Sequence, residues 1–123
     1  MSGMAKPEAV RNDLDAEGLL HEVIALLEDA KADDVVTIEL AGKSSVTDYM
    51  VIASGRSDRH VGAIADQLQR RLKEIKYGTV RVEGQPQNDW VLVDIGDVVV
   101  HIFRPEVRDF YNLEKMWMAD TSH

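Results

Sequence analysis

The segment "DVVVHIFRPEVRDFY", residues 97–111, decides how the rest of the chain is arranged. Its first half is a continuous apolar run, typical of a strand that is buried on both faces, yet His101 lies in the middle of it. Pro105 then suits the first position of a helix, because proline lacks the N–H group that this position leaves unbonded. The segment therefore predicts a buried strand followed by a terminal helix that runs to about Met118.

Two longer helices are predicted upstream of this segment. Asp15 is the expected N-cap of the first helix, and apolar residues recur after it at helical spacing. A second apolar series, at i, i+3, i+4 and i+7, predicts a helix that begins at Ser57 or Asp58 and ends at Tyr77-Gly78. Each helix has one apolar stripe, so we expect both to pack on a sheet.

Short apolar or alternating runs predict five strands, over residues 35–40, 49–54, 79–83, 90–95 and 98–104. Gly96-Asp97 is a connection short enough to join the last two strands as a hairpin. The resulting order is αββαβββα. It predicts an α/β fold of the mixed α+β kind, a single domain in which helices pack on one mixed sheet of about five strands.

The length of 123 residues suits one domain. We expect a flexible N-terminal arm at residues 1–13, a domain at residues 14–118 and a short C-terminal tail at residues 119–123. The chain has no cysteine, which excludes disulfides and thiolate chemistry. It shows neither a signal-peptide core nor a run of about 18 apolar residues, so we expect no membrane partner and a cytoplasmic location.

The chain is acidic, because 22 Asp and Glu residues outnumber 14 Lys and Arg residues and give a net charge of −8. Nucleic-acid-binding proteins usually present a basic face, since contacts with phosphates supply most of their affinity. Arg70, Arg71 and Lys73 form a small basic group, which a solvated helix face explains more simply. The charge therefore predicts little or no direct nucleic-acid contact and favours a basic protein partner.

Three patterns invite an enzymatic or metal-binding interpretation. "SGRS", residues 54–57, precedes a helix and would suit a phosphate, but without a phosphate-loop motif an ordinary turn explains it better. Asp94 and Asp97 flank a hairpin turn, where aspartate is common for conformational reasons. His60, His101 and Asp94 lack metal-motif spacing, and a strand histidine is more often hydrogen-bonded to a carboxylate or the backbone. We therefore expect no catalytic, metal or cofactor site.

The aromatic residues are more informative about binding. Trp90 begins a strand directly after the polar turn "GQPQND", where we do not expect it to be fully enclosed. The terminal helix carries an apolar stripe made of Val107, Phe110, Leu113 and Trp117. Core packing is the default interpretation for Phe110 and Trp117, whereas docking and packing are equally consistent with Trp90 and Tyr111. The charged residues beside these aromatics, a composition typical of interfaces, are Arg104, Arg108 and Asp109.

Two stretches resemble one known family. "TDYMVIASGRSDRHVGAIADQL", residues 47–68, and "EGQPQNDWVLVDIGDVVVHIFRPEVRDFYNLEKMW", residues 83–117, are similar to the bacterial ribosomal silencing factor (RsfS/Iojap) family. The shared motifs are T-D-Y before an apolar strand, S-G-x-S-x-R-H-V, W-V-L-x-D-x-G-D-V-V-V-H and R-x-F-Y-N-L-E. Met50 stands where family members more often have Phe, and Arg104 where many have His.

The resemblance implies a non-enzymatic translational repressor, active when nutrients are scarce, on a nucleotidyltransferase-like scaffold. Such a factor binds the large ribosomal subunit through ribosomal protein fourteen of that subunit and blocks joining with the small subunit. The contact surface of the family lies on the later strands and the terminal helix. Carried over by matched motif, the expected partner-binding residues are Trp90, Asp97, His101, Pro105, Glu106, Phe110 and Tyr111.

Within this interpretation, Asp97 and Glu106 would meet basic groups, and His101 would form a wall or a hydrogen bond instead of acting as a base. Two alternatives stay open. One is a small nucleotidyl- or phosphoryl-transfer enzyme that uses "SGRS" and Asp94. The other is a homodimerisation module, and the same apolar patch would also allow a homodimer when the protein is off the ribosome.

Overall fold

The computed structural model describes residues 15–42, 47–75, 80–112 and Lys115. The described helices are α1 (Ala16–Asp29), α2 (Asp58–Glu74) and α3 (Pro105–Tyr111). The described strands are β1 (Asp33–Glu39), β2 (Tyr49–Ser54), β3 (Arg81–Glu83), β4 (Trp90–Asp94) and β5 (Val98–Phe103). The order of the elements is αββαβββα, as the sequence predicts.

The strands form one mixed sheet in the order β1-β2-β5-β4-β3. Strands β2 and β5 run parallel, and the other neighbouring pairs are antiparallel. The predicted mixed five-stranded sheet is therefore confirmed. So is the hairpin between β4 and β5, in which the Ile95 N–H donates to the carbonyl of Val98 (3.0 Å). Strand β5 lies at the centre of the sheet, which accounts for its continuous apolar sequence.

Local capping residues determine where the helices begin. Asp15 Oδ1 accepts a hydrogen bond from the Gly18 N–H (2.8 Å) at the start of α1. At the start of α2, Ser57 Oγ accepts one from the His60 N–H (3.1 Å), so Ser57 is the cap of the two candidates. Pro105 lies in the first turn of α3. These predicted helix starts are confirmed.

Helix α3 is shorter than predicted. It ends at Tyr111 because Asn112 adopts the left-handed conformation, with φ of 53°. A continuous helix to about Met118 is therefore wrong. Some predicted features lie outside the described residues: the N-terminal arm, the C-terminal tail, Tyr77-Gly78, Leu113 and Trp117.

Helices α1 and α2 cover one face of the sheet with aliphatic side chains. Alternate residues of the strands point to this face and are almost fully buried against the two helical stripes. The strand residues concerned include Val51, Val91, Val93, Val100 and Ile102. Among the described residues, no helix is both long and apolar enough to cross a membrane.

The opposite face carries a smaller apolar cluster, in which Phe103 and Ile52 are fully buried. Only the short helix α3 packs on it among the described helices, through Val107. Trp90 is half-buried at the margin of this cluster. The cover is therefore partial, and the large exposed apolar side chains among the described residues, Phe110 and Tyr111, belong to α3.

Candidate partner-binding site

Strand pairing brings the candidate residues to one end of the sheet. Because β4 and β5 are antiparallel, Trp90 at the start of β4 lies opposite Phe103 at the end of β5. Helix α3 begins two residues after Phe103, at Pro105. The first residue of one strand, the last residue of its neighbour and the terminal helix therefore converge at this edge.

The aromatic rings at this edge form a connected cluster. The ring centroid of Trp90 lies 4.8 Å from that of Phe103 and 4.9 Å from that of Tyr111. Phe110 meets Tyr111 edge to face, with centroids 5.1 Å apart. These distances are typical of favourable aromatic pairs. The cluster thus runs from the buried Phe103 outward to the surface of α3.

Phe110 and Tyr111 are the exposed end of the cluster, with 80% and 50% of their surface accessible. The default interpretation of Phe110 as a core residue is wrong. Helix α3 turns Val107 and Arg108 toward the sheet and ends three residues after Arg108, so Phe110 projects from its outer side. Exposed large apolar side chains next to each other are unusual on a protein surface and indicate a contact surface.

His101 is joined to this cluster by a hydrogen bond. The indole Nε1–H of Trp90 donates to Nδ1 of His101 (2.9 Å), and His101 is only 8% exposed. Because Nδ1 is the acceptor, the neutral ring carries its proton on Nε2. Burial lowers the pKa of His101 from 6.5 to about 4, so the neutral ring persists at physiological pH. The expected carboxylate or backbone partner is wrong: the partner is an indole.

A groove of about 580 Å³ lies between the aromatic cluster and the loop before β4. Its floor is Trp90, and its walls are Gly84, Gln87, Asp89, Glu106, Val107, Phe110 and Tyr111. Gly84 has φ of 103° and lies so close to the Trp90 carbonyl that no Cβ would fit there. The groove therefore combines an aromatic floor with an acidic rim.

Arg104 links the two walls of this groove. Its Nε contacts Oδ1 of Asp89 (2.8 Å), and its Nη1 contacts Oε2 of Glu106 (3.0 Å). Its backbone N–H also donates to the Asp89 carbonyl (3.0 Å). Arg104 is thus an ionic and hydrogen-bonded link between two residues that line the groove. Glu106 remains 68% exposed and available to a partner.

Asp97 lies away from the other predicted site residues. It precedes β5, whereas Trp90, Pro105 and the rest of α3 lie at the far end of that strand, about 20 Å away at 3.3 Å per residue. Its carbonyl accepts hydrogen bonds from the N–H groups of Asp48 and Tyr49 (2.9 and 3.0 Å). A role of Asp97 in the same contact would therefore require a partner that spans the sheet.

Two backbone N–H groups of the "SGRS" turn already have hydrogen-bond partners within the protein. The Gly55 N–H donates to the Phe103 carbonyl (2.9 Å), and the Arg56 N–H donates to Nδ1 of His60 (2.9 Å). Ser54 is buried and its Oγ accepts from Arg108 (2.8 Å). These bonds support the interpretation of residues 54–57 as a structural turn between β2 and α2.

His60 and Asp94, considered above for a metal or acid–base site, have structural hydrogen-bond partners instead. His60 Nε2 donates to the Ala30 carbonyl (2.9 Å), which ties the start of α2 to the end of α1. Asp94 Oδ1 accepts from the Gly96 N–H (3.0 Å), the turn role expected for it. In the described ranges, no cluster of three or more His, Asp or Glu side chains is arranged to hold a metal ion.

Sequence reasoning missed the role of Arg108. It was expected to flank the aromatics at the surface, but it is 8% exposed and bonds to Ser54 at the end of β2. It fixes α3 to the sheet from below, while Val107 packs on the apolar cluster. Ser54 and Arg108 are 54 residues apart, so no local sequence pattern predicts that they form a hydrogen bond.

The comparisons with known proteins agree over most of the chain. The family model described as "Ribosomal silencing factor during starvation" matches residues 13–123. A Zymomonas mobilis protein named "Ribosomal silencing factor RsfS" is 50% identical over 117 residues, covering 95% of this chain and 88% of that protein. A mouse protein named "Mitochondrial assembly of ribosomal large subunit protein 1" is 38% identical over 98 residues, covering 77% of this chain and 43% of that protein.

Two crystal structures share the fold. One, of a Chromobacterium violaceum protein, superposes with a TM-score of 0.81 at 39% identity and covers 84% of this chain and 86% of that one. The other, from Bacillus halodurans, gives a TM-score of 0.74 at 40% identity and covers 82% and 94%. Sequence and fold therefore lead to the same conclusion, that the chain belongs to the ribosomal silencing factor (RsfS, Iojap) family.

Proposed function

We propose that this chain is a translational repressor that binds the large ribosomal subunit through ribosomal protein fourteen of that subunit. By occupying the joining face it sterically blocks association with the small subunit and lowers translation under nutrient limitation. It acts in the cytoplasm and without catalysis. The proposal rests on family membership, and the names of relatives support a ribosomal role, including the mouse protein named for assembly of the large subunit.

The observation that carries the proposal is the exposed pair Phe110 and Tyr111, backed by Trp90. Aromatic side chains are common at the centres of interfaces because they bury a large area while few rotatable bonds are fixed. Here the ring of Trp90 restricts the side chain of Tyr111 already in the free protein. A surface arranged in this way loses little conformational entropy when it binds.

The charge distribution supports a protein partner that is basic at the contact. The net charge is −8, and Asp89 and Glu106 stand on the rim of the aromatic groove. Such charges increase the rate of encounter with a positively charged surface and repel the phosphates of bare RNA. Arg70 and Lys73 are exposed on α2, a different part of the molecule, and Arg71 is paired with Glu22 (2.9 Å).

The mechanism requires only that the factor occupies the joining face of the large subunit. The small subunit and the factor would compete for the same face of the large subunit, so binding energy at the aromatic surface is converted directly into inhibition of joining. No bond is made or broken, and the hydrogen-bonded "SGRS" turn is consistent with this view. Repression then depends on the concentration of the factor relative to its dissociation constant.

The test is sucrose-gradient sedimentation of purified ribosomal subunits with the wild-type protein, Phe110→Ala and Lys73→Ala. We expect the wild type to migrate with free large subunits and to reduce the fraction of joined ribosomes. At the same concentration, Phe110→Ala should migrate with large subunits much less than the wild type and should inhibit joining correspondingly less. Lys73→Ala, an exposed change on α2, should behave as the wild type. A wild-type protein that remains at the top would overturn the proposal.

A homodimer through the same patch is a further proposal and is separable by experiment. Sedimentation velocity over a range of protein concentrations, without ribosomes, would compare the wild type with Tyr111→Ala. We expect any self-association to weaken in the variant together with binding to the large subunit. A variant that dimerises normally but loses the ribosome would show that the two contacts use different surfaces.

A further inference from the structure

We propose that His101 is a positioning residue of the partner-binding surface, which holds the indole of Trp90 in the one orientation that supports Tyr111. The inference deepens the proposed function and rests on it, because the surface in question is the one assigned to the partner. It gives His101 an indirect role through Trp90. No direct contact between His101 and the partner is needed.

The geometry gives Trp90 two kinds of support. Its ring packs on Phe103, with centroids 4.8 Å apart, and its Nε1–H points to Nδ1 of His101 at 2.9 Å. His101 lies opposite Leu92 on the neighbouring strand, two residues from Trp90, so the two rings are diagonal neighbours on the same face of the sheet. Tyr111 also packs on Trp90, with ring centroids 4.9 Å apart.

The hydrogen bond adds a directional constraint on the indole to the support that ring packing gives it. Packing between apolar surfaces has no direction, and the torsion that rotates an aromatic ring about its Cβ–Cγ bond has broad, roughly two-fold preferences. A hydrogen bond with an N–H donor requires near-linear alignment and therefore distinguishes the two ring orientations. Without its acceptor, Trp90 would turn its N–H toward water, and the surface beneath Tyr111 would change shape.

This role also explains why a histidine occupies an apolar strand. His101 is 8% exposed and lies between Ile52 and Leu92 on the adjacent strands. A leucine would suit this environment better on burial alone, because it needs no hydrogen bond. It would, however, leave the indole N–H without an acceptor. The polar side chain at residue 101 is therefore explained by the surface it organises.

Two substitutions distinguish the effect of losing the hydrogen-bond acceptor from the effect of changing the size of the side chain. His101→Asn can place a carbonyl oxygen near the position of Nδ1, whereas His101→Leu removes every acceptor. We expect His101→Leu to bind large subunits about five- to tenfold more weakly, the loss typical of one hydrogen bond. His101→Asn should stay within about twofold of the wild type. The melting temperature of each variant is measured in parallel, and that of His101→Leu should not fall.

A double-mutant cycle tests whether the effect passes through Trp90. Trp90→Phe keeps an aromatic ring but removes the donor together with part of the ring area, and we expect it to weaken binding at least as much as His101→Leu. The double variant should be no weaker than the more affected single variant, because both changes break the same bond. Independent, multiplying losses would overturn the inference.

A measurement on the free protein needs no ribosome. The indole N–H resonance of Trp90, assigned by its loss in Trp90→Phe, should exchange slowly with solvent in the wild type and in His101→Asn. In His101→Leu it should shift and exchange faster. An unchanged resonance, or wild-type affinity in His101→Leu, would overturn the role of His101 alone. Failure of the wild type itself to bind large subunits would instead overturn the proposed function and this inference with it.

Discussion

The two faces of the sheet differ in what covers them and in the side chains they contain. Under α1 and α2, the face is filled by aliphatic residues, most of them fully buried. Under α3, the cluster is smaller and includes Trp90, with His101 and Arg108 buried close by. The first face contributes most of the apolar burial, and the second presents exposed aromatics. Stability and binding should therefore respond to substitutions on different faces.

The largest expected effect on stability comes from the covered face. Leu68 lies on α2 and is 1% exposed, so Leu68→Ala removes buried methyl groups and leaves a cavity. We expect the free energy of unfolding to fall by about 3 kcal/mol. Urea denaturation followed by circular dichroism measures it. Lys73→Ala on the exposed side of the same helix is the control and should change stability by less than about 0.5 kcal/mol.

The folded fraction of Leu68→Ala should still bind large subunits with wild-type affinity, since Leu68 is remote from the aromatic surface. A loss of affinity under conditions where the variant is fully folded would mean that the two faces are coupled.

Phe110→Ala should have the opposite effects to Leu68→Ala, weakening binding and leaving stability nearly unchanged. This side chain is 80% exposed, so Phe110→Ala should change the free energy of unfolding by less than about 0.5 kcal/mol. Affinity for the large subunit should nevertheless fall by about 2 kcal/mol or more, a loss of about thirtyfold, because central aromatic contacts contribute this much to an interface. Binding titrations by co-sedimentation measure this loss. Unchanged affinity would show that Phe110 is not part of the partner-binding surface.

Lowering the pH should reduce the free energy of unfolding, because His101 takes up a proton more readily in the unfolded chain. Burial lowers its folded pKa to about 4, below the unfolded value of 6.5, so the unfolded chain takes up the proton at a higher pH. The stability contributed by the neutral ring is therefore present above pH 6.5 and is lost as the pH falls toward 4. Between pH 7 and pH 5, we expect a loss of up to about 2 kcal/mol.

The matched variant for this prediction is His101→Asn, which cannot titrate. The other three histidines, His21, His60 and His123, are common to both proteins, so the difference between their urea stabilities at pH 7 and at pH 5 isolates residue 101. An equal loss in both proteins would show that His101 has an ordinary pKa in the folded state.

The elements of the fold were predictable because their signals are local. Asp15 and Ser57 cap helices through hydrogen bonds three residues along the chain, and the apolar periods that follow set the buried faces. The end of α3 was missed although Asn112 is one of the residue types that adopt the left-handed conformation. The apolar stripe that begins at Val107 favours a longer helix, but the left-handed conformation of Asn112 ends it at Tyr111.

The site was only partly predictable, because its contacts depend on strand register. The resemblance to the family indicated Trp90 and His101, but the bond between them joins residues 11 apart and follows from the pairing of β4 with β5. The exposure of Phe110 depends on what packs beside it, which periodicity does not report. As partner contacts, all seven proposed residues remain predictions, with Asp97 separated from the rest.

The smallest effect is expected at the rim of the groove. Glu106 is 68% exposed and pairs with Arg104, while Glu74 is 70% exposed and pairs with Arg71 at the end of α2. Because exposed ion pairs contribute little, both Glu106→Gln and Glu74→Gln should change stability by less than about 0.5 kcal/mol. Only Glu106→Gln should slow association with the large subunit, and by less than about fivefold at low salt.

Stopped-flow association rates at several salt concentrations measure this difference. The rates of wild type and Glu106→Gln should converge as salt rises, because screening removes the long-range attraction, while the dissociation rates stay similar. If Glu74→Gln slowed association as much as Glu106→Gln, the effect would reflect net charge alone. Electrostatic steering would then not depend on which face of the sheet carries the carboxylate, and the contrast between the two faces would be limited to their apolar side chains.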